Sequence, residues 1–179
     1  MMELLNLPQS SNLALTGPYR LTLDEFYSLP VPEQQQHART LILSLQATID
    51  SLQAEGVQTI SSDTLLPVHR FSKGIYTREL TMPAGTVIVG KRHAQEHIVL
   101  MTEGHCTVFT ERGQEELHAP CTFVSPAGEK RVLFVHEQTT WTTVHRTDET
   151  DLDAVERDLI LTESPHEALN RPRHEGQIT

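Results

Sequence analysis

The chain reads as a mostly β protein, an antiparallel sandwich or barrel carrying one helix before it and a shorter one after it. Three observations predict this. Short runs rich in Val, Ile, Thr, Phe and Leu crowd the stretch after Asp63, turn residues separate them, and the stretch before them has helical rather than alternating periodicity. With 179 residues and 37% hydrophobic content, the chain can bury one sizeable core but not two full-sized ones. The expected division is an N-terminal arm and helix over 1–62, a β unit over 63–147, and a helix with a polar tail over 148–179.

The elements follow in order. Residues up to about 31 have little periodicity, except that Thr22-Leu-Asp-Glu25 resembles a capping box opening a short helix through Tyr27 and Leu29. From Pro32 to Glu55, Ala38, Ile42, Leu45, Ile49 and Leu52 recur at alternating spacings of four and three, so one face of a helix is apolar. Strands are expected at 75–82, 86–92, 98–101, 107–110, 122–124, 131–136 and 141–145. The breaks between them are Pro83-Ala-Gly85, Glu103-Gly104, Arg112-Gly113, Pro126-Ala-Gly128 and Glu137-Gln-Thr-Thr140. Asp148-Glu-Thr-Asp-Leu supplies caps and early acids for a helix running to about Leu161, and the polar segment from Glu163 onward is expected to be flexible.

Charge and cysteine content narrow the function classes. A net charge of −10 offers no field to gather phosphates, which argues against general nucleic-acid binding. Two cysteines, Cys106 and Cys121, with no signal-peptide pattern and no long apolar run, predict a cytoplasmic chain with reduced thiols, neither secreted nor inserted in a membrane.

The chemistry concentrates in the stretch from Pro83 to Gly104, where His93 and His97 flank a strand-to-strand turn. Alternation through Val87, Val89 and His93 predicts that these side chains share an inward face, and neutral imidazoles converging in an apolar interior are what a divalent metal needs. A stable site needs a third protein ligand: His145, His136 or Glu79. His145 is favoured because it shares strand parity with Trp141 and Thr143, whereas His136 adjoins the polar Glu137-Gln138 turn. The remaining histidines, including His69, His105 and His118, stand among polar neighbours and are expected to face solvent.

These residues resemble the cupins, small β-barrels whose first motif reads Gly, five residues, His-x-His, three or four residues, Glu, six residues, Gly. Here Gly85 is followed after five residues by Lys91-Arg-His93, then after three by His97, then after six by Gly104, so Lys91 and His97 stand in place of the first histidine and the glutamate. The second motif, Pro-x-Gly, two residues, His, resembles Pro126-Ala-Gly128-Glu-Lys-Arg131, with Arg131 in place of the histidine. Met82-Pro-Ala-Gly85-Thr, Pro120-Cys-Thr-Phe-Val-Ser-Pro126 and Trp141-Thr-Thr-Val-His145 are also similar to short cupin-like proteins of tailed-phage genomes, which would place the chain in a bacterial host's cytoplasm.

The resemblance implies a cupin-like antiparallel β-barrel, a jelly roll, over about 70–147, with Lys91 and Arg131 projecting inward. Two interior cations need carboxylates such as Glu79, or an anionic ligand. Trp141 would wall the pocket. Three functions follow as expectations. The first is a metal-dependent cupin holding Fe, Ni, Zn or Mn on His93, His97 and His145 and a small anionic substrate on Lys91 and Arg131. The second is a non-catalytic module capturing an anionic metabolite or nucleotide signal. The third is an oligomeric structural protein, most simply a homodimer, suggested by the apolar helix stripe and by strands such as 131–136 that are apolar on both faces. The first, a metal-binding cupin with a small-molecule pocket, is the expectation carried forward.

Overall fold

The computed structural model describes residues 23–55 and 65–161; residues 1–22 of the expected N-terminal arm and the polar tail from Glu163 lie outside them. Helix α1 spans Leu23–Ser28 and α2 spans Val31–Ala54. Pro32 sits in the first turn of α2, where its missing N–H costs nothing, and Glu33 places a negative charge at the positive end of the helix dipole. Of the predicted stripe on α2, Ile42 is buried, while Leu45 and Leu52 are exposed among the described residues. The helix reaches the sheet through an Arg39–Glu111 ion pair at 3.3 Å.

Nine strands follow: β1 Val68–Ser72, β2 Ile75–Met82, β3 Val87–Val89, β4 Arg92–His93, β5 His97–Thr110, β6 Gly113–His118, β7 Cys121–Ser125, β8 Arg131–Arg146 and, after helix α3 at Leu152–Leu159, β9 Ile160–Leu161. Seven of them form one antiparallel sheet ordered β1-β2-β8-β5-β6, with β3 also on β8 and β7 also on β5. The first half of β5 pairs with β7 and with the second half of β8, and its second half pairs with β6 and with the first half of β8. Two four- to five-stranded layers therefore share two long strands. At about 3.3 Å per residue, strands of 14 and 16 residues must bend to stay on a small core.

The bend is where the sequence reading and the structure part. Glu103-Gly104 and Glu137-Gln-Thr-Thr140 were expected to be turns separating four short strands. They are irregularities inside two continuous strands, with register shifts between Met101 and Cys106. Gly104 makes the crossing possible. It has φ +93°, and a Cβ there would collide with the Gln138 carbonyl and Thr139. Strand β6 (Gly113-Gln-Glu-Glu-Leu-His) was not predicted, because its polar side chains face water and only Leu117 is buried. Strands β1 and β9 were also missed.

The core contains Leu80, Met82, Ile88, Val99, Met101, Val108, Leu133, Val135 and Trp141 between the two layers. A second cluster joins Tyr76 on β2 to Val155 and Leu159 of α3. Asp151 caps α3 by accepting from the Ala154 N–H, and β9 then pairs with β4. The C-terminal helix is thereby held against the strand that carries His93. None of the described helices is long and apolar enough to cross a membrane.

Candidate metal centre

Each histidine of the predicted triad reaches the site from a different segment. His145 stands near the end of β8, and Trp141 and Thr143 share its buried face, as strand alternation requires. His97 opens β5. His93 ends the two-residue β4, which is held by β9 on one side and by the Gly128 N–H donating 2.8 Å to the His93 carbonyl.

The parity argument that pointed to His93 needs correction. Ile88, not Val87 or Val89, is the buried residue of β3, and Val87 is 42% exposed. His93 points inward because the chain leaves the strand at Gly90-Lys91 and re-enters one at Arg92, which resets the alternation.

The three rings pack against one another, His145 stacked on both others and His93 tilted against His97. Ring centroids are 4.3 Å apart for His93 and His97, 4.7 Å for His93 and His145, and 4.4 Å for His97 and His145. One ring nitrogen from each lies within 4.8 Å of the other two. An ion about 2.0–2.1 Å from each nitrogen needs them roughly 3.3 Å apart, so binding would draw the three rings closer together. Neither His136 nor Glu79 joins them. His136 is on the outer surface, bonded to Thr107 Oγ1 at 2.7 Å, and Glu79 faces outward to Arg70 at 3.3 Å.

All three imidazoles are held neutral. Burial, reinforced by His97 and His145 and by Arg131 and Arg78, pushes the His93 pKa down to about 2. Burial, with His97 and Arg78, takes His145 to about 4. Burial also lowers His97, against the opposing pull of the Gln95 carbonyl. That carbonyl lies 3.2 Å from His97 Nδ1 and can only accept, so Nδ1 carries the proton and Nε2 keeps its lone pair. Nδ1 of His93 and Nδ1 of His145 are buried with no hydrogen-bond partner. Unmet buried ring nitrogens cost about 1–3 kcal/mol each, which packing alone does not require and a bound cation would offset.

A cavity of about 70 Å³ adjoins the triad, lined by Leu80, Met82, Ile88, Leu133, Trp141 and Thr143 with Arg78, Lys91, Glu129 and Arg131. Both cations expected inside are met by carboxylates. Arg131 lies against both Phe123 and Trp141, 5.9 Å from each ring centre, and donates to Ser125 Oγ and to Glu129 Oε2, the latter at 2.6 Å. Lys91 stands at the mouth and pairs with Glu156 of α3 at 3.0 Å. Glu79, the carboxylate expected to serve them, is on the wrong face of β2, whose inward parity belongs to Tyr76, Leu80 and Met82. Arg78 shares that parity and lines the cavity without an ion pair among the described residues. Strict alternation from Tyr76 would have found it. Glu129 and Glu156 come from a loop and from α3, and no local pattern marks them.

Comparison with proteins of known structure finds partial likenesses. The chain is similar to a cupin-2 domain protein from Shewanella frigidimarina, with a TM-score of 0.40 and 9% identity over 53% of this chain and 90% of that one. A cupin 2 conserved barrel domain protein from Salinispora arenicola gives 0.41 and 15% identity over 58% and 90%. A cupin domain from Bordetella pertussis gives 0.40 and 16% over 50% and 97%. No family model matches the chain, and no curated protein matches it in sequence.

Proposed function

We propose that the chain is a small-molecule-binding, cupin-like protein whose His93, His97 and His145 hold one divalent metal ion beside the cavity. The observation that carries this reading is the set of three converging imidazoles, His97 and His145 buried and His93 partly so, with two buried ring nitrogens unmet among the described residues. Imidazole donors without a carboxylate suit Zn, Ni or Fe better than Mn, and three protein ligands leave positions open for a ligand or water. When bound, such an ion would polarise a ligand oxygen or lower the pKa of a bound water.

The chain's own residues shape what binds. At about 10–15 Å³ per water, the cavity holds roughly five waters' worth of space, so its ligand is small. Arg78 at its edge, without an ion pair among the described residues, favours an anionic group, while Trp141, Leu80 and Leu133 provide an apolar wall. Among the described residues the carboxylate that lines the cavity, Glu129, and Glu156, which meets Lys91 at its mouth, are both ion-paired. No unpaired carboxylate therefore stands ready as a base, which favours capture of a small anion on the metal over proton transfer by the protein.

Metal analysis of tag-free protein loaded with Zn²⁺ and desalted tests this. H93A/H145A should carry one equivalent less than the wild type and lose the matching gain in melting temperature. Equal metal content in both proteins would refute the site.

A further inference from the structure

The outer face of the sheet carries a second group of histidines that the interior site does not use. His105 on β5 stands directly opposite His118 on β6, with ring centroids 3.9 Å apart and planes 16° from parallel. Glu116, two residues before His118, shares its face and lies diagonal to His105. Its Oε1 is 2.7 Å from His105 Nε2. One ligand atom from each of His105, Glu116 and His118 lies within 4.8 Å of the others.

A fourth histidine braces them. The ladder between β5 and β8 pairs His105 with Glu137 and then Cys106 with Val135, so His136 is the extra residue of a bulge. Its ring lies against His105 at 4.4 Å while its Nε2 is engaged by Thr107 Oγ1. With that nitrogen occupied, His136 positions the His105 ring.

We propose that His105, Glu116 and His118 form a second, surface site for a divalent transition-metal ion of the Zn²⁺ class, independent of the interior triad. Two imidazoles and one carboxylate on adjacent antiparallel strands match the nitrogen and oxygen donors of three-ligand zinc sites, and the ion takes the place of the direct contact between His105 and Glu116. Glu116 has a side chain 58% exposed, so the ion is reached from solvent and keeps open positions. The bulge at His136 turns a surface pair into a braced set.

The experiment is a zinc titration of metal-free, tag-free protein against a chromophoric chelator, with Zn²⁺ alone as the probe. H118A should lose one equivalent relative to the wild type, and E116Q should bind that equivalent at least about tenfold more weakly. Both changes are on the surface, and an unchanged melting temperature of the metal-free protein verifies the fold. Loss of an equivalent in H118A but not in H93A/H145A would uphold this site while removing the interior one. Unchanged zinc stoichiometry and affinity in H118A, with any loss confined to H93A/H145A, would overturn it.

Discussion

Replacing Glu129 by Gln should be the most damaging single charge change near the cavity. The Glu129 side chain is 7% exposed and stands between two arginines, 2.6 Å from Arg131 and 2.7 Å from Arg112. Arg131 is itself buried, and burial pulls its pKa down against the support of Glu129. In E129Q the guanidinium keeps Ser125 and two aromatic faces but loses its countercharge. An uncompensated buried charge costs about 3–5 kcal/mol. For a chain of this size each kcal/mol moves the melting temperature by about 2–4 °C, so E129Q should melt roughly 6–20 °C lower. R131M should cost far less, within about 1 kcal/mol. Met packs well against the Phe123 and Trp141 rings, and Glu129 keeps Arg112, whose side chain is 60% exposed. The double variant E129Q/R131M should recover most of the E129Q loss, since the cation that needed the carboxylate is gone. Thermal and urea denaturation of the four proteins measure this, and zinc content should be unchanged because neither residue is a ligand. An E129Q melting temperature within about 2 °C of the wild type would refute the buried-pair reasoning, as would a double variant no better than E129Q.

Acid should destabilise the metal-free protein in a defined window. Unfolded histidines take up protons near pH 6.5, but folded His145 does so only near 4 and His93 near 2, so stability is greatest above 6.5 and falls by up to about 1.4 kcal/mol per pH unit per histidine as pH drops toward 4. Glu111, whose pKa burial raises, works in the opposite sense, so the histidine contribution is the difference from H93A/H145A in urea midpoints across pH; identical slopes would contradict it. G104A should cost on the order of 3 kcal/mol or more because it combines φ +93° with a collision at the strand crossing, and a loss under about 1 kcal/mol in thermal melting would show that the bend tolerates a side chain. The exposed apolar side chains Ile98, Leu100 and Val124 on the outer face of β5 and β7 lead us to expect a homodimer, which a monomeric mass by light scattering at micromolar concentration would contradict.

Local patterning determined much of this molecule. The four-three spacing from Ala38 to Leu52 specified α2, because residues that far apart share a helical face whatever surrounds them. Period-two alternation located β2 and the buried face of Trp141, Thr143 and His145, and the Gly and Pro spacing around Lys91, His93, His97 and Arg131 pointed His93 and His97 toward that same interior. What alternation cannot see is a reset of its own phase. The break at Gly90-Lys91 moved His93 inward from a strand whose buried residue is Ile88, and the irregularities at Glu103-Gly104 and His136 joined strands that turn-forming residues had seemed to divide. Partners distant in sequence were equally hidden: Glu129 for Arg131, Glu156 for Lys91, and His118 for His105 meet only through register and helix docking. Side-chain type states what chemistry a residue can perform, but the fate of its charge is a matter of which other segment arrives beside it. That is decided by the cooperative closing of the sheet and the seating of α3, where long-range contacts outweigh any local preference.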